Sequence, residues 1–130
     1  MPLSAESEQI ITGILREALH ECCPPMVITK ESKKGMEIIG NKPVPYGYKK
    51  EIIPGMYFSS FVARKDMVSF YLFALYGNPE AFKKLAPVAM KCLKGKTCFN
   101  FKKSEHVNKN EISALLKQGM DVWKKQGYMK

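Results

Sequence analysis

The stretch MYFSSFVARKDMVSFYLFALY, residues 56–76, contains two runs that are rich in aromatic and β-branched residues. The short segment Ala63-Arg64-Lys65-Asp66 separates the two runs. Such runs joined by a polar turn are typical of an antiparallel β-hairpin. Neither alternating face of the second run is polar, which predicts a central strand with one face against helices and the other partly covered or lining a cavity.

Helix signals lie at both ends of the chain. Ser4 is a good N-cap for a first helix whose apolar residues between positions 10 and 22 recur every three or four residues, and Pro24-Pro25 ends it. Near the other end, Asn108 and Glu111 have the spacing of a capping box, and Gly127 suits a left-handed helix stop. The sequence therefore predicts one helix before the hairpin and one at the end of the chain.

The remaining segments are shorter. Residues 36–39 and 97–101 read as strands, and residues 29–35 as a polar loop. The segment 40–55 holds so many prolines and glycines that we predict an irregular edge segment there. Pro87 divides 79–93 and predicts two short helices or a kinked one. Together these elements predict an α+β fold, with a single antiparallel β-sheet and helices packed on it, in one domain over residues 1–130.

Composition limits the class of protein. The N-terminal residues lack a basic region followed by an apolar run, and no stretch approaches the roughly 20 apolar residues of a membrane span. The four cysteines show no zinc-type spacing and read as reduced thiols. We therefore expect a cytoplasmic protein that makes no contact with a membrane.

The positive charge is concentrated in one part of the chain. Residues 1–82 carry nine basic and nine acidic side chains, whereas residues 83–130 carry twelve lysines and three acidic residues. All of the net charge of +9 thus comes from the last third. Such an excess attracts anionic partners, although a solvated lysine-rich surface has the same composition.

The hairpin, the strand from Gly95 to Phe101 and the closing helix, in this order, resemble the YdhG-like family of small bacterial domains. These domains are often labelled frataxin-homologue or iron-chaperone-like, and the likeness lies mainly between Met56 and Tyr128. The resemblance implies a binding or accessory module without catalytic chemistry of its own, and iron is the one cofactor that it suggests. Members of this family usually have a glutamate some residues ahead of a Pro-x-aromatic element. Glu37, with Pro43 or Pro45 and Tyr46, approximates this pattern.

Iron would need a cluster of carboxylates and imidazoles. Glu17 and Glu21 lie one turn apart on the first predicted helix, and His20 follows Glu17 at three-residue spacing. These three residues are the metal-site hypothesis, and an ordinary solvated helix face is its alternative.

Two further hypotheses concern other ligands. Tyrosines near the proline-rich segment and on the hairpin predict a small organic-ligand pocket, unless they only pack in the core: Tyr46, Tyr48, Tyr57 and Tyr71. Basic residues at the hairpin turn and around the strand 97–101 predict a site for an anionic ligand, such as nucleic acid or an acidic protein: Arg64, Lys65, Lys96, Lys102 and Lys103.

The sequence argues against two functions. Arg16 and Arg64 are the only arginines, whereas base and phosphate recognition favours the planar guanidinium, so this pattern argues against nucleic-acid binding. Phe99 and Phe101 share one face of their strand and fit the core better than a stacking surface. No nucleophile lies in an activating context, which argues against an enzyme.

Overall fold

Two long helices pack on one face of an antiparallel sheet in the computed structural model, which describes residues 4–23, 26–46, 51–75, 80, 82–95 and 97–129. The helices are α1 (Ala5–Glu21), α2 (Pro87–Met90) and α3 (Lys109–Gln126). The strands are β1 (Val27–Ser32), β2 (Gly35–Ile39), β3 (Val44–Tyr46), β4 (Glu51–Ile53), β5 (Tyr57–Ala63), β6 (Val68–Leu72), β7 (Leu93–Lys94) and β8 (Cys98–Phe101).

Six strands form the main sheet in the order β1-β2-β5-β6-β8-β7, and each neighbouring pair is antiparallel. This arrangement confirms the predicted α+β fold and the hairpin of β5 and β6. Strands β3 and β4 pair with each other in a separate ribbon, where the sequence predicted irregular structure. Their side of the fold is therefore more regular than its prolines and glycines indicated.

The helix ends follow local hydrogen bonding. The Ser4 hydroxyl accepts from the amide of Ser7, and Asn108 Oδ1 accepts from the amides of Asn110 and Glu111. Gly127 ends α3 with φ of 81°. Only half of the predicted capping box forms, because the Glu111 carboxylate instead accepts from the amide of Ala89 in α2. Within the described ranges, no helix combines the length and apolar character that a membrane span needs.

One local prediction was wrong. The segment read as a polar loop at 29–35 is mostly β1 and its turn, because pairing with β2 supplies the backbone partners that its polar sequence does not indicate. Pro87 begins the short helix α2, where its missing N–H has no helical partner to lose. The predicted division of 79–93 falls partly on residues 79 and 81, which lie outside the described residues.

The core lies between the sheet and the helices. One row of directly opposed residues runs across four strands on the helix side, and all four are buried: Met36, Phe61, Phe70 and Phe99. A bulge at Phe58 breaks the alternation in β5, so that its ring also turns inward and packs against Trp123 of α3. The remaining face of the sheet is the one that the long helices leave open.

Candidate anion-binding site

Two rows of opposed residues cross the sheet on the side away from the helices, and we call this surface the open face. The first row consists of Lys30, Glu37, Ser60, Tyr71 and Cys98, and the second of Ser32, Gly35, Val62, Ser69 and Asn100. Ten residues with seven polar side chains stand in place of the apolar residues that fill the helix side. Because side chains alternate along a strand, one face of the sheet is apolar and the other is rich in hydrogen-bonding groups.

Arg64 extends from the β5–β6 turn over the open face. Its Nε donates to Ser69 Oγ and its Nη2 donates to the Tyr71 hydroxyl, both at 3.1 Å. A guanidinium has five N–H donors, so three remain for a ligand. No carboxylate pairs with Arg64 within the described residues, and the side chain is held in place by neutral groups alone.

Neutral hydrogen bonds fix the surroundings of Arg64. Ser69 is only 2% exposed, and its hydroxyl donates to Asn100 Oδ1 at 3.0 Å. The Cys98 thiol also donates to Asn100 Oδ1, at 3.4 Å. The side-chain network therefore runs from β6 to β8 and orients the residues that face Arg64.

Three pairs of consecutive basic residues meet at one end of the sheet. Lys33-Lys34 lies in the β1–β2 turn, Arg64-Lys65 in the β5–β6 turn, and Lys102-Lys103 directly follows β8. The register makes these positions coincide, because Ala63 opposes Val68 and Val68 opposes Phe101. Lys34 O also accepts from the Ala63 amide at 2.7 Å, which joins the two turns. We call these six exposed residues the basic end.

Carboxylates compensate only part of this charge. Lys34 Nζ pairs with Glu8 at 3.1 Å, and Lys103 Nζ lies 3.9 Å from Glu105. Asp66 is the other acidic residue in these turns. Among the described residues, no ion pair is formed by the other four members of the basic end: Lys33, Arg64, Lys65 and Lys102.

A solvent-open groove of about 730 Å³ follows the open face across β1, β2 and β5. Its lining includes Lys30, Glu37 and Ser60 of the first row and Lys34 of the basic end. Glu37 is half-buried and accepts from the Thr29 hydroxyl at 2.6 Å. The groove thus connects the basic end with the polar rows. Glu37, the acidic residue of the first row, lies on β2, two strands away from the Arg64 partners Ser69 and Tyr71 on β6.

The structure brings together two of the four predicted pocket tyrosines. Tyr71 belongs to the first row, and the Tyr57 hydroxyl shares a hydrogen bond with Ser60 of the same row. Burial raises the pKa of Tyr57 to about 12, so its hydroxyl keeps its proton at neutral pH. The side chain of Tyr46 and all of Tyr48 lie outside the described residues. Tyr57 and Tyr71 thus lie on the open face, and the part of the pocket that involves Tyr46 and Tyr48 stays a prediction.

The predicted metal ligands are directed to other partners. Lys109 Nζ of α3 lies 3.2 Å from Glu17 and 2.8 Å from Glu21, and these carboxylates raise the pKa of the lysine. His20 Nε2 instead lies 2.8 Å from Glu31 Oε2. Across the described ranges, no three His, Cys, Asp or Glu side chains are grouped to hold a metal ion. An ammonium group thus occupies the place that the hypothesis gave to iron.

Glu31 gives a prediction on acid stability. Hydrogen bonds from His20 and then Arg16 lower the pKa of Glu31. A carboxyl whose folded pKa is depressed stabilises the fold above its unfolded pKa and loses this effect as the pH falls through the folded pKa. We expect urea unfolding at neutral pH to show lower stability for Glu31→Gln than for wild type, and the two to converge in acid. Exposed Asp121→Asn is the control, and an equal pH dependence of both variants would contradict the assignment.

The lysines of the last third do not form one surface. Lys94 lies at the opposite end of the sheet from Lys102 and Lys103, because β7 pairs Lys94 with the start of β8. Lys109 is engaged by α1, and Lys96 lies outside the described residues. Of the predicted anion set, the four members that the structure describes come together: Arg64, Lys65, Lys102 and Lys103.

Sequence reasoning missed four members of this site: Lys33, Lys34, Ser69 and Asn100. A basic pair directly follows β1, β5 and β8, but β1 was not predicted as a strand, so the recurrence could not be recognised from the sequence. Comparison with protein-family models, with curated proteins and with solved structures found no match for the chain. The likeness to the YdhG-like domains therefore stays an expectation from the sequence, and the candidate site is assigned from geometry alone.

Proposed function

We propose that this protein is an anion-binding module whose ligand carries phosphate groups and binds at the basic end. One observation carries the proposal: three basic pairs, separated in the chain by about thirty and nearly forty residues, converge at one end of the sheet. A concentration of cations from distant segments raises the local potential far more than the same residues scattered over the surface. The lysine excess of residues 83–130, from which the sequence predicted an anionic partner, contributes Lys102 and Lys103 to the basic end.

Arg64 supplies the geometric part of the proposal. Its planar group is anchored by Ser69 and Tyr71, so that little side-chain entropy remains to be lost when a ligand binds. The three remaining N–H donors suit the oxygens of a phosphate, which guanidinium binds in a bidentate manner. Ion pairing with a carboxylate of the same protein would have competed with this ligand.

The iron hypothesis has weaker support from the same geometry. Glu17 and Glu21 share the ammonium of Lys109, and a ferrous ion would have to displace this group. The four members of the basic end that form no ion pair with a described residue instead attract anions. We therefore favour the anion over the cation as ligand.

The test is a titration of tripolyphosphate into amide-labelled protein, followed by two-dimensional NMR at low and moderate salt. We expect shifts confined to residues 33–35, 64–69 and 100–104, with an affinity that falls as salt is added. Arg64→Gln should weaken binding several-fold. Lys94→Gln removes the same charge from the opposite end and should leave the affinity unchanged.

Two results would overturn the proposal. One is a set of shifts spread equally over the lysines of α3 and the basic end. The other is an equal loss of affinity in Arg64→Gln and Lys94→Gln, since net charge alone would then account for binding. Ferrous iron added under anaerobic conditions serves as a comparison, and localised signal loss at Glu17 and Glu21 would revive the metal hypothesis.

A further inference from the structure

We propose that the phosphate-bearing ligand is a single-stranded nucleic acid, with its backbone along the basic end and its bases on the open face. This inference rests on the proposed function and narrows it to one class of ligand. It departs from what the scarcity of arginine indicated, because the register joins residues that the sequence keeps apart.

The width of the basic end argues for a ligand with several phosphates. Neighbouring strands lie about 4.8 Å apart, and the three basic pairs are distributed from the β1–β2 turn to the end of β8. They therefore span roughly 17 Å, at intervals of roughly 7–10 Å. A single phosphate can contact one pair and leave the others unused. A chain of phosphates can contact all three pairs.

The open face supplies what a base needs. Half-buried Tyr71 is the fourth of the five residues in the first row, lies next to Arg64, and offers an aromatic surface for stacking. Asn100 is half-buried at the adjacent strand; its Oδ1 accepts from Ser69 and Cys98, and its NH2 group can donate to a base edge. Ser60 and Tyr57 add hydroxyls on the other side of Tyr71. A sheet face that combines aromatic and amide groups with cations at its rim is a known arrangement for unpaired bases.

Other polyanions use only part of this arrangement. Inorganic polyphosphate has the charges but nothing to place on the tyrosine, and an acidic peptide has carboxylates without a repeating planar group. In a duplex the bases are already stacked and paired, so their faces cannot reach Tyr71. Glu37 lies at the far side of the first row and disfavours phosphate there, which keeps the backbone at the basic end.

The experiment measures fluorescence anisotropy of labelled single-stranded RNA and DNA of about ten nucleotides, a typical site size for such binders. The full-length protein is used throughout. If four unpaired cations neutralise phosphates, log K should fall with log salt at a slope of about −3. Arg64→Gln and Lys102→Gln should each make this slope shallower by about 0.7, and Lys94→Gln should not change it.

Tyr71 separates nucleic acid from other polyanions. Tyr71→Thr and Tyr71→Phe both remove the hydroxyl that anchors Arg64, so tripolyphosphate affinity should change equally in the two variants. Tyr71→Thr also removes the ring and should lower oligonucleotide affinity about tenfold, the size of one stacking contact. Tyr71→Phe retains the ring and should bind the oligonucleotide within about threefold of wild type. Trp123 fluorescence checks that each variant is folded.

Three outcomes would overturn the inference and leave the proposed function intact. The first is tripolyphosphate binding with no oligonucleotide binding beyond that of inorganic polyphosphate of equal charge. The second is an unchanged oligonucleotide affinity in Tyr71→Thr. The third is equal affinity for the duplex and the single strand. Loss of tripolyphosphate binding itself would instead contradict the proposed function.

Discussion

Phe70→Ala should lower the free energy of unfolding by about 3–5 kcal/mol, the usual range for removing a buried phenyl ring. Phe70 is fully buried at the centre of the helix-side row. Its ring lies 5.6 Å from that of Phe99 and 6.3 Å from that of Phe101, centroid to centroid. Two rings of β8 would thus lose a partner at once, and the sheet cannot collapse to fill the space. A loss of this size is a large part of a typical stability of roughly 5–15 kcal/mol.

Urea unfolding followed by Trp123 fluorescence measures this loss, because the single tryptophan is 3% exposed and lies between α3 and the sheet. Phe70→Leu retains much of the volume and should cost less. Ile52→Ala, on a side chain that is 68% exposed, should stay within about 0.5 kcal/mol. A similar effect of Phe70→Ala and Ile52→Ala would contradict the assignment of β6 to the core.

Gly55→Ala should destabilise the fold by about 1–3 kcal/mol, because an added Cβ has no space. At Gly55 this atom would overlap the carbonyl oxygen of Gly40 and lie 3.0 Å from Ile39 Cδ1. A Cβ added at Gly40 would in turn overlap the backbone carbonyl oxygen of Tyr128. Three separate backbone segments therefore approach one another closely. The atom nearest to the added Cβ is a backbone carbonyl oxygen, which cannot move aside as the end of a side chain can.

Gly13→Ala is the matched control, and it should change stability in the opposite direction. Gly13 lies in the interior of α1, is exposed, and has no atom within 4 Å of an added Cβ. Alanine there removes the entropy cost of a helical glycine and should stabilise by roughly 0.5–1 kcal/mol. Thermal unfolding of both variants measures the difference. If both shift the midpoint in the same direction, the close approach at Gly55 does not govern its stability.

Local patterns were enough to predict several elements. The hairpin of β5 and β6 follows from its aromatic runs and short turn, and α3 begins at Asn108 and ends at Gly127 where the caps predicted. These signals act over a few residues, so neighbours in sequence carry the information. The polar strand β1 was not predicted, because its own residues have no strong strand propensity. Its pairing with β2 and its contacts with α1 stabilise it instead.

The candidate site could be predicted only in fragments. Arg64 and Lys65 were assigned to an anion site from their turn, and Lys102 and Lys103 from the strand that precedes them. The distance between these pairs depends on strand order, which places β8 beside β6 although β7 lies between them in the chain. The metal site could not be judged from the sequence for a related reason. Lys109, about ninety residues away in sequence, is the partner of Glu17 and Glu21.

By itself, the sequence determined the fold class, the hairpin, the two long helices and the excess of positive charge. Only the tertiary structure decided which basic residues share a surface, which face of the sheet is polar, and which glycines close a backbone contact. The physical reason is that strand register and order depend on long-range pairing and on burial of one whole face. The strand period of two residues, the helix period of 3.6 and a turn of four residues describe only neighbours in the chain, so they cannot encode such contacts. Three basic pairs that look unrelated in the chain thereby become one end of a sheet.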